Sequence, residues 1–347
     1  MSMKHNSRFI TYLAATTIAA LLVACGGGGD GDGGASTGSL SVGVTDSPVT
    51  EDVDVCIHFT GITLHHSDGN RVQIPFDPAS YTDATDCVHN RPADNLLSEE
   101  NAVNLSALQG ELSVTIIDAE AVKAGRYNWI RLDVDESLSY VMDSEGQKAL
   151  SCPSCSGEQS GLKLNRGITV PAGGAADFMI DINLAKSLNR KPSGDYRMNP
   201  TLRLVDLTET GHIAGAVESS LVPELISETD TGCNVYIFAG HGITPDDYHD
   251  ADNILTSAKV LYDPGTMTYK YSAAYLPTST SPDPTPYTVA LTCDDDDPET
   301  DQDNDPTTPA EDDVIFTDGL AGGTGQNASV STGQTEVVNF PPESLAI

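Results

Sequence analysis

Positive charge is scarce in this chain. Its 17 Lys and Arg stand against 51 Asp and Glu, a formal charge of −34 over 347 residues. A surface of that sign repels phosphate, which excludes nucleic acid as a partner and holds the body off anionic lipid headgroups. Aromatic residues make up only 6%, with a single Trp, so any core must be mainly aliphatic. The one long apolar run, Phe9 to Ala24, falls short of the roughly 20 residues that a spanning helix needs. Catalytic signatures are missing as well. There is no G-x-S-x-G elbow, no H-E-x-x-H and no G-x-G-x-x-G between strand and helix, and Gly322-Gly323-Thr324-Gly325 lacks the lysine of a phosphate loop. What is plentiful is Gly (31) and Pro (20), a composition that suits many short strands and turns.

The first residues read as an export signal. Lys4 and Arg8 supply a positive start, an apolar stretch follows, and Leu22-Val23-Ala24-Cys25-Gly26 ends it with small residues before a cysteine. This ending resembles the bacterial lipobox, which implies a signal peptide over 1–24, cleavage before Cys25 and a diacylglycerol on its thiol. Gly26 after the cysteine, rather than Asp, implies sorting to the outer membrane of a Gram-negative cell envelope. The membrane is thus the expected partner, through the lipid. Residues 25–38 form a Gly-rich tether averaging roughly 20 Å in reach. Without Lys4 and Arg8 the mature part carries a formal charge of −36. It is long enough for two domains with their own cores.

Six cysteines follow Cys25. An even number in an exported chain reads as disulfides, and six allow fifteen connectivities. Chain order favours neighbours within domains: Cys56 with Cys87, Cys152 with Cys155, Cys233 with Cys293. The last would close a loop of about 60 residues and contribute roughly 3 to 4 kcal/mol.

Alternation of apolar and polar residues points to an all-β chain of two β-sandwich domains. Leu40, Val42 and Val44 share one face of a strand, as do Val53, Val55, Ile57 and Phe59. Ser67-Asp68-Gly69-Asn70 turns the chain back as Arg71 to Ile74. Asp118 to Lys123 fits a helical turn or two. After Ala124-Gly125, Tyr127, Trp129 and Arg131 are expected on one face of a strand, with Ile130, Leu132 and Val134 on the other. Further strand patterns lie at 161–164, 178–182 and 198–205. Past Gly211 they return at 212–217, 233–239, 269–276, 287–293 and 335–340.

Several of these stretches carry a resemblance. Val44-Thr45-Asp46-Ser47-Pro48, Ala124 to Leu132, Gly161-Leu162-Lys163-Leu164, Val170 to Gly174, Asp181 to Leu188 and Pro200 to Val205 resemble, in order, the bacterial domain of unknown function 4382. The resemblance covers 39–208 and implies a secreted, often lipid-anchored β-sandwich; the family supplies no catalytic residues. Residues 209–347, which hold an acidic loop at 294–313, resemble transthyretin-like β-sandwich modules.

Three constellations could carry chemistry. Cys152-Pro153-Ser154-Cys155 has the C-x-x-C spacing of thiol oxidoreductases and half-zinc sites, but Gly and Ser surround it and no second ligand pair is near, so a structural disulfide is the better reading. In the acidic loop, Asp301, Asp303 and Asp305 alternate and Asp312 takes the twelfth place of an EF-like loop, oxygen ligands suited to Ca²⁺. Pro306 stands where glycine should allow the turn, so a solvated acidic loop competes. The loop from His241 to Asp252 offers two histidines and four aspartates for a metal, and His65-His66 is a weaker pair.

The sequence therefore supports a membrane-anchored, surface-displayed lipoprotein with a binding or structural role, its partner a protein or a glycan. The alternative is an envelope enzyme, acting by thiol redox through Cys152 and Cys155 or by metal-assisted hydrolysis at the His241 loop. Calorimetry at moderate salt decides between the two: binding heat and a higher Tm with Ca²⁺, both lost in Asp301→Asn/Asp303→Asn, mark a specific site, and no heat and no rise in Tm mark the solvated loop.

Overall fold

The computed structural model describes residues 36–47, 53–76, 87, 102–108, 110–155, 161–223, 225, 230–246, 254–279, 281, 283–293, 316–320 and 325–342. Strands, numbered along the chain, make three sheets. The first holds β14 (Leu202–Asp206), β11 (Ala175–Asn183), β1 (Thr37–Ser47) and β5 (Val114–Lys123), in that order. The second runs β10 (Ile168–Val170), β6 (Gly125–Val134), β2 (Asp54–His66), β7 (Tyr140–Asp143), β8 (Gly146–Ser151), β13 (Tyr196–Met198) and β12 (Leu188–Arg190). On it, β3 (Arg71–Pro75) and β4 (Ala102–Asn104) pair with β2, and β9 (Leu162–Leu164) pairs with β6. The third runs β20 (Gln326–Val330), β19 (Thr285–Thr292), β16 (Asp230–Ala239), β17 (Ile254–Asp263), β18 (Thr268–Pro277), β15 (Thr210–Val217) and β21 (Thr335–Val337). A single turn of helix, α1 (Leu184–Ser187), follows β11. The chain is all-β, as its alternation implies.

The first two sheets enclose one core. From β1 come Leu40, Val42 and Val44; from β11, Phe178, Ile180 and Ile182; from β2 and β6, Val55, Ile57, Phe59, Ile130 and Leu132. Each such side chain, fully withdrawn from water, contributes roughly 1.5–3 kcal/mol before entropy is counted. β1 pairs in parallel with β11 from Ser39–Ala175 to Ser47–Asn183, and antiparallel with β5 on its other edge.

Two local expectations are corrected. Asp118 to Lys123 is strand, part of β5, because Val114, Ile116 and Ile117 begin an extended run and the edge of β1 takes their backbone groups. A bulge falls there, with Ala119 at φ 49°. Tyr127 does not share a face with Trp129: the register slips between His65–Trp129 and His66–Tyr127, and the extra residue, Asn128, turns Tyr127 into the core.

The third sheet is paired across β17 and β18 only at the hairpin tip, where Leu261, Tyr262 and Asp263 meet Lys270, Tyr269 and Thr268. Beyond the tip the strands diverge. β17 continues against β16, and β18 continues against β15. The sheet is thereby folded into a four-stranded and a three-stranded layer, with Ile213, Val235, Ile237, Val260, Val289 and Leu291 between them.

The apolar cores divide between Leu204 and Ile213, yet residues Ser36–Ile347 form one compact unit. β1 lies against β17, and β14 against β18. The face of the four-stranded sheet that points away from its own core carries Thr45, Met179, Asp181 and Val205, all buried. Thr45 Oγ1 donates to Leu112 O at 2.8 Å. On the far side of the third sheet, Tyr236, Phe238 and Phe316 pack with Ala185 of α1.

Gly215 allows β21 to lie beside β15: a Cβ there would run into the carbonyl oxygen of Val338. Gly215→Ala should therefore cost about 2 kcal/mol or more in chemical denaturation.

Candidate functional site

A cleft of about 940 Å³ opens beside the β17–β18 hairpin. Its floor is made of small side chains, Ala214, Ala216 and Ser272, and its sides include Leu261, Tyr262, Val337 and Glu111. Leu261 is 43% and Val337 66% exposed, large apolar side chains left in water beside an open cleft.

The hairpin is held rigid by one carboxylate. Asp263 Oδ1 accepts from the Gly265 amide at 2.9 Å, and Oδ2 accepts from Thr266 Oγ1 at 2.6 Å and from Lys270 Nζ at 3.2 Å. The Thr266 hydroxyl first, then the Lys270 ammonium, hold the Asp263 carboxyl down at about 2. Glu111 is fixed from the neighbouring strand. Ser272 Oγ donates to Glu111 Oε1 at 3.2 Å, and Tyr275 Oη donates to Glu111 O at 3.1 Å. Tyr275 reaches it from a bulge in β18, where its φ is 54°. A non-Gly residue in that region costs of order 1–3 kcal/mol, and here the conformation aims the phenol at the loop before β5.

The residues singled out by sequence go elsewhere. Disulfides join Cys56 to Cys87, Cys152 to Cys155 and Cys233 to Cys293. Cys152 and Cys155 are 3% and 4% exposed within the first core, a placement that closes their sulfurs to an attacking thiolate. The Cys152 amide donates to Glu136 Oε1 at 2.8 Å, which fixes the turn. His241 Nε2 lies 2.8 Å from Ala328 O, so its ring ties a loop to β20. The later candidate ligands of that loop, within 247–253, fall outside the described residues, as do Cys25, Asp301, Asp303, Asp305 and Asp312. His65 stacks parallel on Trp129 at 5.1 Å, and His66 meets Tyr127 edge-on at 4.9 Å. Among the described residues, no three His, Cys, Asp or Glu side chains gather as a metal site.

Nothing in the sequence marked the cleft. Its walls come from positions as far apart as Glu111 and Val337, and only the Ala214-Gly215-Ala216 run hinted at a flat, unfilled strand face.

With this geometry in hand, comparison with known proteins places the first half. Residues 37–200 match the family described as Domain of unknown function (DUF4382). The DUF4382 segment thus contains the whole first sandwich apart from β14. No curated protein matches the sequence. Among solved structures, a candidate cell adhesion protein from Bacteroides fragilis is 7% identical, covering 86% of this chain and 92% of its own, at a TM-score of 0.19. The minor pilin GBS52 of Streptococcus agalactiae is 8% identical, covering 87% and 94%, at 0.18. The fimbrial anchor protein Mfa2 of Porphyromonas gingivalis is 11% identical, covering 80% and 82%, at 0.16. Likenesses this slight do not establish a common fold.

The depressed Asp263 carboxyl gives a pH test. Its folded value lies below the ordinary 3.8, so its contribution is fully present above 3.8 and is lost as pH falls through about 2. The carboxyl ¹³C resonance should titrate with a midpoint near 2, and Thr266→Val should move that midpoint upward.

Proposed function

We propose that this protein is a lipid-anchored component of the bacterial cell envelope that displays a binding cleft for a segment of a partner protein. The observation that carries the reading is the cleft of about 940 Å³, floored by small residues and flanked by exposed Leu261 and Val337. Apolar side chains left in water beside a concave surface stabilise a partner that covers them. The polar groups at the margin, Glu111 and Asp263, are pinned by hydrogen bonds, so a ligand meets a preformed surface and loses less entropy on binding.

Anchoring is supported by the chemistry of the remaining cysteine. Three disulfides take six of the seven cysteines, and the seventh is Cys25, in the lipobox-like stretch. A diacylated cysteine holds a protein at a membrane without a spanning helix; no described helix is long and apolar enough to cross one. A thiol oxidoreductase is disfavoured by the burial of Cys152 and Cys155.

Two measurements test the reading. Intact-mass analysis of protein extracted from membranes should show acyl chains on Cys25, and Cys25→Ser should move the protein to the soluble fraction. A photo-crosslinking residue at Val337, used on whole cells, should capture one discrete partner. Leu261→Asp should weaken that capture at least tenfold with Tm unchanged; a labelling pattern indifferent to Leu261→Asp would sink the cleft as the binding surface.

A further inference from the structure

On a chain with three acidic residues for every basic one, cations collect along one edge of the first sandwich. Lys163, Arg166 and Arg203 line a second cleft, of about 360 Å³, in which no lining residue is acidic. It opens between β9 and β14, edge strands of the two facing sheets. Lys163 Nζ lies 4.6 Å from the centre of the Trp129 ring. Arg126 extends over Gly167, beside Arg166. At physiological salt, charges more than about 8 Å away are largely screened, so an approaching anion responds to these cations rather than to the net charge of −34.

The guanidinium groups are held in place before any ligand arrives. Arg166 Nη1 donates to Leu204 O at 2.9 Å, leaving its other N–H groups for an acceptor. Arg203 Nε donates to Asp181 Oδ2 at 3.1 Å and Nη2 to the same oxygen at 2.5 Å. Asp181 is buried and does not line the cleft.

We propose that this cleft binds an acidic polysaccharide, its carboxylate or sulfate groups on Lys163 and Arg166 and its sugar rings against the part-exposed Pro200 and Leu202. An acidic peptide fits less well. A peptide added to the sandwich edge would need the outward carbonyls of β14, and Arg166 already occupies that of Leu204; β9 is only three residues long. The cleft volume lies within the range of small-ligand sites, and Asn165 adds a neutral hydrogen-bonding group suited to hydroxyls.

Because Trp129 is the only Trp and touches Lys163, its fluorescence reports on the site directly. Polygalacturonate, titrated into the mature chain carrying Cys25→Ser, should change Trp129 emission and bind more weakly as salt rises, whereas neutral dextran should do neither. Lys163→Ala/Arg166→Ala should weaken binding at least tenfold, and Lys148→Ala, whose ammonium pairs with Glu145 away from the cleft, should leave it unchanged. Lys163→Ala alone removes an exposed side chain and serves if the double variant melts early. The proposal is overturned if dextran binds equally well, if Lys163→Ala and the double variant bind like the parent, or if poly-glutamate binds as tightly as polygalacturonate.

Discussion

The outward face of the four-stranded sheet cannot be left in water. Met179 and Val205 lie on it beside Thr45 and Asp181, and all four are buried. Burying Asp181 is tolerable because Arg203 pairs with it at 2.5 Å, and an unpaired charge there would carry a heavy desolvation cost. The second half supplies the cover, setting β17 against β1 and β18 against β14. Two cores that are separate as apolar clusters are thereby joined through a mixed polar and apolar seam. The large cleft is a by-product of that seam, since Glu111 arrives from the first half and the β17–β18 hairpin from the second.

The divergence of β17 and β18 serves the same arrangement. A hairpin paired along its length would leave a flat sheet, with one face of every strand exposed. Opening it beyond Leu261 and Lys270 folds the sheet over its own core, while the parted strands meet the first half. Bulges do comparable work on a smaller scale. That in β6 turns Tyr127 inward and leaves Trp129 outward against His65; that in β18 swings Tyr275 onto Glu111. Each adds one residue to one strand and so changes which side chains share a face.

Charge is distributed with the same economy. Within the acidic excess, Asp133 is placed where it accepts from Thr63 Oγ1 at 2.6 Å and from Arg131 Nε at 2.6 Å inside the fold. Three of the cations, Lys163, Arg166 and Arg203, line one cleft in which no lining residue is acidic. This is what makes Lys163 and Arg166 conspicuous.

Much of the fold was legible because its causes are local. Alternation at Leu40, Val42 and Val44, or at Val55, Ile57 and Phe59, reads as strand from side-chain periodicity alone, and the disulfides follow cysteines adjacent in order along the chain. The lipobox-like stretch at Cys25 and the absence of catalytic motifs are likewise properties of the linear chain. Illegible were the features that depend on a partner strand or on distant residues. Asp118 to Lys123 has a helical composition that the edge of β1 overrides, and the register slip at Asn128 exists only relative to β2. Both clefts are made of residues far apart in the chain, Lys163 with Leu204 in one and Glu111 with Val337 in the other, brought together by sheet pairing and by the need to cover Met179 and Val205. The sequence by itself determined most of the strands and the sign of the charge, each set by residues near one another in the chain. Only the tertiary structure decided where apolar surface is left open and where the scarce cations meet, because those depend on which faces the packing of the two halves leaves uncovered.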